Sequence, residues 1–377
     1  MLTKGVKFTN FKTKKKSLLI KKELISLLKS KNEILNSLSQ NYKDNFTKKI
    51  LLKYKKNTDY RVIGMGGSSL GTQTIYDFLK HKIKKKFVFS DNLQVNLIKD
   101  KKKYTNLIVS KSGNTIETIV NANIFITESK NSYLLNLAKK LKSDIIHHNN
   151  YIGGRYSVLS EVGMLPAELM GLKASNFRQL NNLIKNKQFI NSLISNVSST
   201  LYFIKKKKFN SIIINYDERS ENLFNWYQQL IAESLGKKKK GLLPIVSNMP
   251  KDNHSTMQLY LDGFKNNFFT FFYVNEKNSE KIKNNTILSS QYYLKNKNLS
   301  QVTLAQKKAT ENVFKNKNIP FRSFEIKKRD EKTLGELFCF FILETILIGQ
   351  SMNLNPYDQP AVELIKVETK KLLIKNS

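Results

Sequence analysis

Glu233 stands in the run Glu233-Ser234-Leu235-Gly236-Lys237, and His254 follows a turn and a loop later in Asp252-Asn253-His254-Ser255. A carboxylate and an imidazole, each placed where a helix meets a loop, are the side chains that exchange protons near neutral pH. Upstream, Gly153-Gly154-Arg155-Tyr156-Ser157 supplies a guanidinium beside two glycines. Ser110-Lys111-Ser112-Gly113-Asn114-Thr115 supplies three hydroxyls and an amide around a glycine. An acid–base pair, a fixed cation and a cradle of donors are together what proton transfer on a sugar phosphate requires.

Taken singly, each feature has a plainer explanation. A Glu on a solvated helix is usually surface, although Gln229 lies one turn back on the same face. Gly64-Met65-Gly66-Gly67-Ser68-Ser69-Leu70-Gly71 has Ser69 where the dinucleotide fingerprint needs glycine, and it lacks the Gly-Lys-Ser/Thr of a Walker loop. Its small residues still let backbone N–H groups and Ser68 approach a ligand at a helix N-terminus. The Ser110–Thr115 stretch could be an N-cap with spare polar groups, but converging donors before a helix suit a phosphate. His147-His148 has no carboxylate or cysteine at metal-ligand spacing, and no metal is expected. Arg155 is one of only six arginines among 65 basic residues, so it suggests a position that needs a planar, permanently charged fork. Lys366 is unremarkable by itself.

The elements that must position these groups alternate. Tyr60–Met65, Phe87–Phe89, Leu107–Val109, Ile124–Ile126 and Asp144–Ile146 read as short buried strands. Helical patterns lie at Leu70–Leu79, Thr115–Val120 and 132–142. After a helical bridge from Pro166 to Ile194 the alternation restarts. Ile212–Tyr216, Leu242–Val246, Phe268–Val274 and Phe321–Ile326 read as strands. Glu221–Leu235, Ser255–Leu261 and Thr303–Phe314 read as helices, and Thr333–Met352 and Pro360–Lys375 close the chain. This argues for an α/β fold of two units with parallel sheets. The units divide as an N-terminal helical segment (1–55), a first α/β domain (56–150), a bridge (151–197), a second α/β domain (198–352) and a C-terminal helix (353–377). In open parallel sheets ligands sit beyond the carboxyl ends of the strands, where both donor-rich loops fall.

Charge points elsewhere and carries less. The formal net charge of +36 would attract polyanions, but the lysines are spread over every segment and do not alternate with aromatics in a stripe. A global compositional bias explains them better than a specific nucleic-acid partner. The apolar run near Leu337–Ile348 is interrupted by Glu344 and is too short to span a bilayer, and Met1-Leu2-Thr3-Lys4-Gly5 does not begin a signal peptide. With one cysteine, Cys339, no internal disulfide can form, and a cytoplasmic setting is expected.

Taken together the motifs resemble the phosphoglucose isomerase family, from the Gly64–Gly71 loop through Lys366. Gly153–Ser160 and Glu233–Lys237 are its most specific parts, and Asn114 stands where the family usually has Thr. The resemblance implies two sugar-isomerase-type α/β/α domains, interconversion of glucose 6-phosphate and fructose 6-phosphate, a homodimer, and neither metal nor cofactor. It implies Glu233 as the base that shuttles the proton through a cis-enediol, and Arg155 as stabiliser of the oxyanion. His254, supplied across the dimer interface, would assist ring opening with Lys366. Ser110, Ser112, Thr115 and the Lys111 backbone would hold the phosphate, while Gly67, Ser68, Gln229 and Gln359 would line the sugar. A non-catalytic sugar-phosphate sensor would keep the loops without needing Glu233, His254 and Lys366 together. A polyanion-binding protein would need none of them.

Overall fold

Two five-stranded sheets organise the chain. The computed structural model describes residues 2–13, 17–92, 103–111, 123–276 and 279–375. Its strands are β1 (Val6–Thr9), β2 (Asp59–Ile63), β3 (Lys86–Ser90), β4 (Thr105–Val109), β5 (Ile124–Thr127), β6 (Asp144–His147), β7 (Asn210–Asn215), β8 (Leu243–Asn248), β9 (Asn267–Val274) and β10 (Phe321–Ile326). The first sheet has the order β3-β2-β4-β5-β6, all parallel. The second has β1-β10-β9-β7-β8, parallel except for β1, which runs antiparallel to β10. In each sheet the founding strand, β2 or β7, is flanked by the next strand on one side and the one after on the other. The two units therefore repeat one doubly wound arrangement. The point where strand order reverses in the first sheet lies between β2 and β4, and in open parallel sheets ligands bind at such a point, beyond the carboxyl ends of the strands.

The composition of the strands follows from burial on both faces. β9 is buried at all eight positions, Asn267-Phe-Phe-Thr-Phe-Phe-Tyr-Val274, as an inner parallel strand covered by helices must be. The helix Glu331–Ser351 is apolar and long enough by composition to cross a membrane, but it is buried without a break from Thr333 to Gly349 and forms the centre of the core. One hydrophobic cluster joins both units, running from Leu107 and Ile126 of the first sheet to Ile213, Phe272 and Phe324 of the second. Within it Arg322 is fully buried, and its guanidinium donates to Glu344, Asn196, Thr270 and Tyr227. That satisfies a charge which would otherwise be costly there.

Several elements differ from the sequence expectation. Within the N-terminal stretch read as helical, Val6–Thr9 is a strand, paired with β10 far along the chain. The expected helical bridge is present, as four helices: Glu161–Leu169, Ala174–Phe177, Leu180–Leu183 and Lys187–Lys205. The helix expected from Ser255 begins at Met257, after a 3-10 turn Lys251–His254. The helix expected over Thr115–Val120 lies outside the described residues.

Pro166 sits inside the first bridge helix and removes the N–H that would bond the Val162 carbonyl. The Thr72 hydroxyl donates to that carbonyl instead, at 3.3 Å, from the helix that follows the Gly64–Gly71 loop. Thr72→Val keeps the shape and leaves a buried acceptor unpaired. It should lower unfolding free energy by about 1 kcal/mol in urea titration. An unchanged midpoint would show that this bond does not compensate for the proline.

Candidate active site

The glycine loop after β2 has no room for side chains. Gly66 takes a positive φ of 52° in the turn Gly66–Ser68. A Cβ on Gly67 would lie 2.3 Å from the Gly154 carbonyl carbon and 2.6 Å from the Arg155 nitrogen. A Cβ on Gly64 would lie 2.8 Å from the Val109 carbonyl oxygen, at the end of β4. The loop is thus pressed against the backbone of the Gly153–Ser160 segment on one side and the end of β4 on the other. Ser68 is half-buried beside them.

Arg155 is 1% exposed and uses every N–H it has. Its Nε donates to Ser234 Oγ at 2.8 Å, and its Nη1 donates to Glu233 Oε2 at 3.1 Å and Gln359 Oε1 at 2.7 Å. Its Nη2 donates to the carbonyls of Pro356 at 2.7 Å and Asp358 at 3.0 Å. The other carboxylate oxygen of Glu233 accepts from Gln229 Nε2 at 2.8 Å. Glu233 is the fourth residue after Gln229 on the helix Glu221–Leu235, which makes this contact local. The Glu233 side chain is 28% exposed, so it is fixed on both oxygens yet open to a ligand. Gln229 Oε1 is buried and has no partner among the described residues.

Four residues outside the expected set complete this centre. Trp226 Nε1 donates to the Arg155 carbonyl at 3.0 Å, Tyr156 Oη and Ser234 Oγ lie 2.8 Å apart, and Tyr156 Oη also donates to the Pro356 carbonyl at 2.9 Å. Burial pushes the Tyr156 hydroxyl up to about 12, so it remains a neutral donor. Gly154 provides the backbone surface against Gly67. Tyr156, Ser234 and Gly154 all lie inside the two most specific motifs. Trp226 is the chain's only tryptophan, and its position on the Glu233 helix was the available signal.

The structure gathers Glu233, Arg155, Gln229, Gln359, Gly67 and Ser68 from the first α/β unit, the bridge, the second unit and the C-terminal segment. Ser110 is buried at the end of β4, with its N–H on the Ile126 carbonyl at 3.0 Å. The Lys111 side chain pairs with Glu128 at 3.3 Å. Ser112 and Thr115 lie outside the described residues. Two expected residues do not join the cluster within one chain. His254 is exposed at the end of its 3-10 turn. Lys366 lies on the helix Pro360–Lys375, none of whose residues is buried, and its Nζ contacts Glu363 at 2.6 Å. Among the described residues no hydrogen bond or ion pair joins either to Glu233. Nor do three His, Cys, Asp or Glu side chains converge among them as a metal site needs. His148 is engaged by Glu161 at 3.4 Å and by the Ile152 carbonyl at 2.9 Å.

The phosphoglucose isomerase family model matches residues 33–376. The chain is 32% identical over 345 residues to the glucose-6-phosphate isomerase of Methanocaldococcus jannaschii, covering 82% of this chain and 84% of that one. It is 32% identical over 344 residues to the glucose-6-phosphate isomerase of Mycoplasmopsis synoviae, covering 81% and 80%. Among solved structures, a hypothetical protein from Thermus thermophilus superposes with a TM-score of 0.81 at 23% identity, covering 94% of each chain. A glucose-6-phosphate isomerase from Chlamydia trachomatis superposes with a TM-score of 0.70 at 17% identity, covering 91% of this chain and 78% of that one. Both show the same fold.

Proposed function

Because the chain belongs to the phosphoglucose isomerase family, we propose that it interconverts glucose 6-phosphate and fructose 6-phosphate by proton transfer through a cis-enediol, with Glu233 as the base. The observation that carries this reading is the Glu233 carboxylate, gripped by Arg155 on one oxygen and Gln229 on the other while still reachable from the crevice. In the aldose-to-ketose direction Glu233 takes the proton from C2. The electron pair left behind forms the C1–C2 double bond, and the former carbonyl oxygen takes a proton from water. Glu233 then returns its proton to C1 as O2 gives its own back to water and becomes the new carbonyl oxygen. A base held in place contributes ~10²–10⁴-fold to such a step. Arg155 lies in a water-poor setting where its charge stabilises a developing oxyanion strongly. All its N–H groups are occupied, so this stabilisation acts through the field and through its hold on Glu233.

The phosphate is assigned to Ser110, Ser112, Thr115 and the Lys111 backbone, and Ser110 follows β4, one of the two strands at the order reversal of the first sheet. Gly67, Ser68, Gln229 and Gln359 line the sugar. The reaction as written needs no metal or cofactor. A cytoplasmic setting agrees with the single, buried Cys339, whose thiol burial pushes up to about 12. A coupled assay on the purified protein, with each sugar phosphate as substrate, tests the reading. Turnover of neither would end it.

We further propose a homodimer in which His254 and Lys366 assist ring opening, His254 acting in the neighbouring subunit's site. Two features support this. His254 projects from an exposed turn, and the helix carrying Lys366 has Leu364 and Ile365 about 70% exposed, which a second subunit would cover. Mixing inactive Glu233→Gln and His254→Ala homodimers under subunit exchange creates heterodimers with one doubly damaged and one intact site. Activity should rise from near zero toward one working site per heterodimer. No recovery, with exchange verified by mass, would place both residues in one subunit's site.

A further inference from the structure

We propose that Lys237 is a positioning residue, which clamps the segment Asn355–Gln359 against Arg155 and so holds Gln359 in the active site. The proposal rests on the function inferred above and adds a residue that it leaves unassigned.

The helix that carries Glu233 ends at Leu235, and Gly236 through Gly241 turn the chain back toward β8. Lys237 and Lys240 close this turn through reciprocal backbone bonds of 3.1 and 2.8 Å, while Lys238 and Lys239 bend it with positive φ values of 50° and 58°. The four consecutive lysines therefore separate into two kinds. Lys238 and Lys239 are exposed at the tip. Lys240 Nζ donates to the Met352 carbonyl at 3.1 Å, and Lys237 Nζ donates to the Asn355 carbonyl and lies 2.7 Å from Asp358 Oδ1. The Lys237 side chain is only 11% exposed. Its hydrogen bond holds the Asp358 carboxyl below the usual carboxylate range.

The opposite side of the same segment is held by the bridge. Arg155 takes the carbonyls of Pro356 and Asp358, and Tyr156 takes that of Pro356 as well. Asn355 Nδ2 donates to Asp358 Oδ2 at 3.0 Å and keeps the loop folded on itself. The helix Pro360–Lys375 that follows Gln359 has no residue buried within this chain. The two cations on either side thus fix where Gln359 Oε1 meets Arg155 Nη1, and that same nitrogen holds Glu233. Displacement of a reacting group by about 1 Å costs up to ~10²-fold in rate, so loosening one side of this clamp should register in turnover.

The experiment compares Lys237→Met, Lys237→Arg and Lys239→Met in the full-length protein by steady-state kinetics and by hydrogen–deuterium exchange over residues 352–359. Lys237→Met should lower kcat about tenfold with KM changed less than threefold, and should speed exchange in that segment alone. Lys237→Arg, which can still reach a carbonyl and a carboxylate, should restore both readouts. Lys239→Met should match wild type. Wild-type kcat in Lys237→Met, or unchanged exchange over 352–359, overturns the clamp. Failure of the wild type to isomerise either sugar phosphate would defeat the functional reading instead. The exchange comparison would then still decide whether Lys237 holds the segment.

Discussion

Glu233→Gln lowers kcat by at least ~10²-fold in both directions, with KM changed little and the unfolding midpoint unmoved. The structure makes this substitution unusually clean. The remaining amide oxygen keeps the acceptor that Arg155 Nη1 uses at 3.1 Å. The new NH₂ would face Gln229 Nε2, donor against donor. But Gln229 Oε1 is buried without a partner among the described residues, so its side-chain amide can turn over and accept from that NH₂. Geometry and hydrogen bonding survive while the proton acceptor is lost. A coupled assay beside wild type is the measurement, and near wild-type turnover would remove Glu233 from the mechanism.

Arg155→Lys keeps the charge and removes the fork. Five N–H bonds to Ser234, Glu233, Gln359, Pro356 and Asp358 collapse to at most three from a shorter reach, in a place that is 1% exposed. Hydrogen bonds involving a charged group are worth ~1.5–3 kcal/mol each, and buried acceptors left bare add a further penalty. Unfolding free energy should fall by roughly 2–4 kcal/mol and kcat/KM by at least ~10²-fold, since Glu233 and Gln359 lose their common anchor. Urea titration with steady-state kinetics checks both. A variant with wild-type stability and rate would mean that a point charge suffices at 155.

Most of the architecture was legible because inner parallel strands need apolar residues throughout. Ile212–Ile214 and Phe268–Val274 carry that signal without help from their surroundings. β1 was not legible. Val6-Lys7-Phe8-Thr9 is four residues of alternating burial at a sheet edge, and what makes it a strand is β10, with Phe8 opposite Phe324. The start of the helix Leu299–Asn316 was available but unread, in the capping box of Asn298 and Gln301. In the site, hydrogen bonds join Arg155 to Glu233 and Gln359, and Gln229 to Glu233. Asn355–Asp358 could not have been found that way, because they contribute backbone carbonyls and one surface carboxylate, which leave no mark on residue type. His254 and Lys366 lie where one chain's packing does not bring them to Glu233.

The buried guanidinium groups also divide the cations of this chain into two sets. Lysine makes up all but six of its 65 basic residues, and arginine stands at only six positions. Four of these, Arg155, Arg178, Arg322 and Arg329, are at most 9% exposed. Each serves several acceptors at once, as Arg178 does with Asp44, Tyr42 and Leu159, and Arg329 with Asp217, Glu276 and Phe78. An ammonium cannot replace a planar fork at such points. In a chain whose basic residues are almost all lysine, four of the six arginines therefore mark buried points where one side chain ties several segments together.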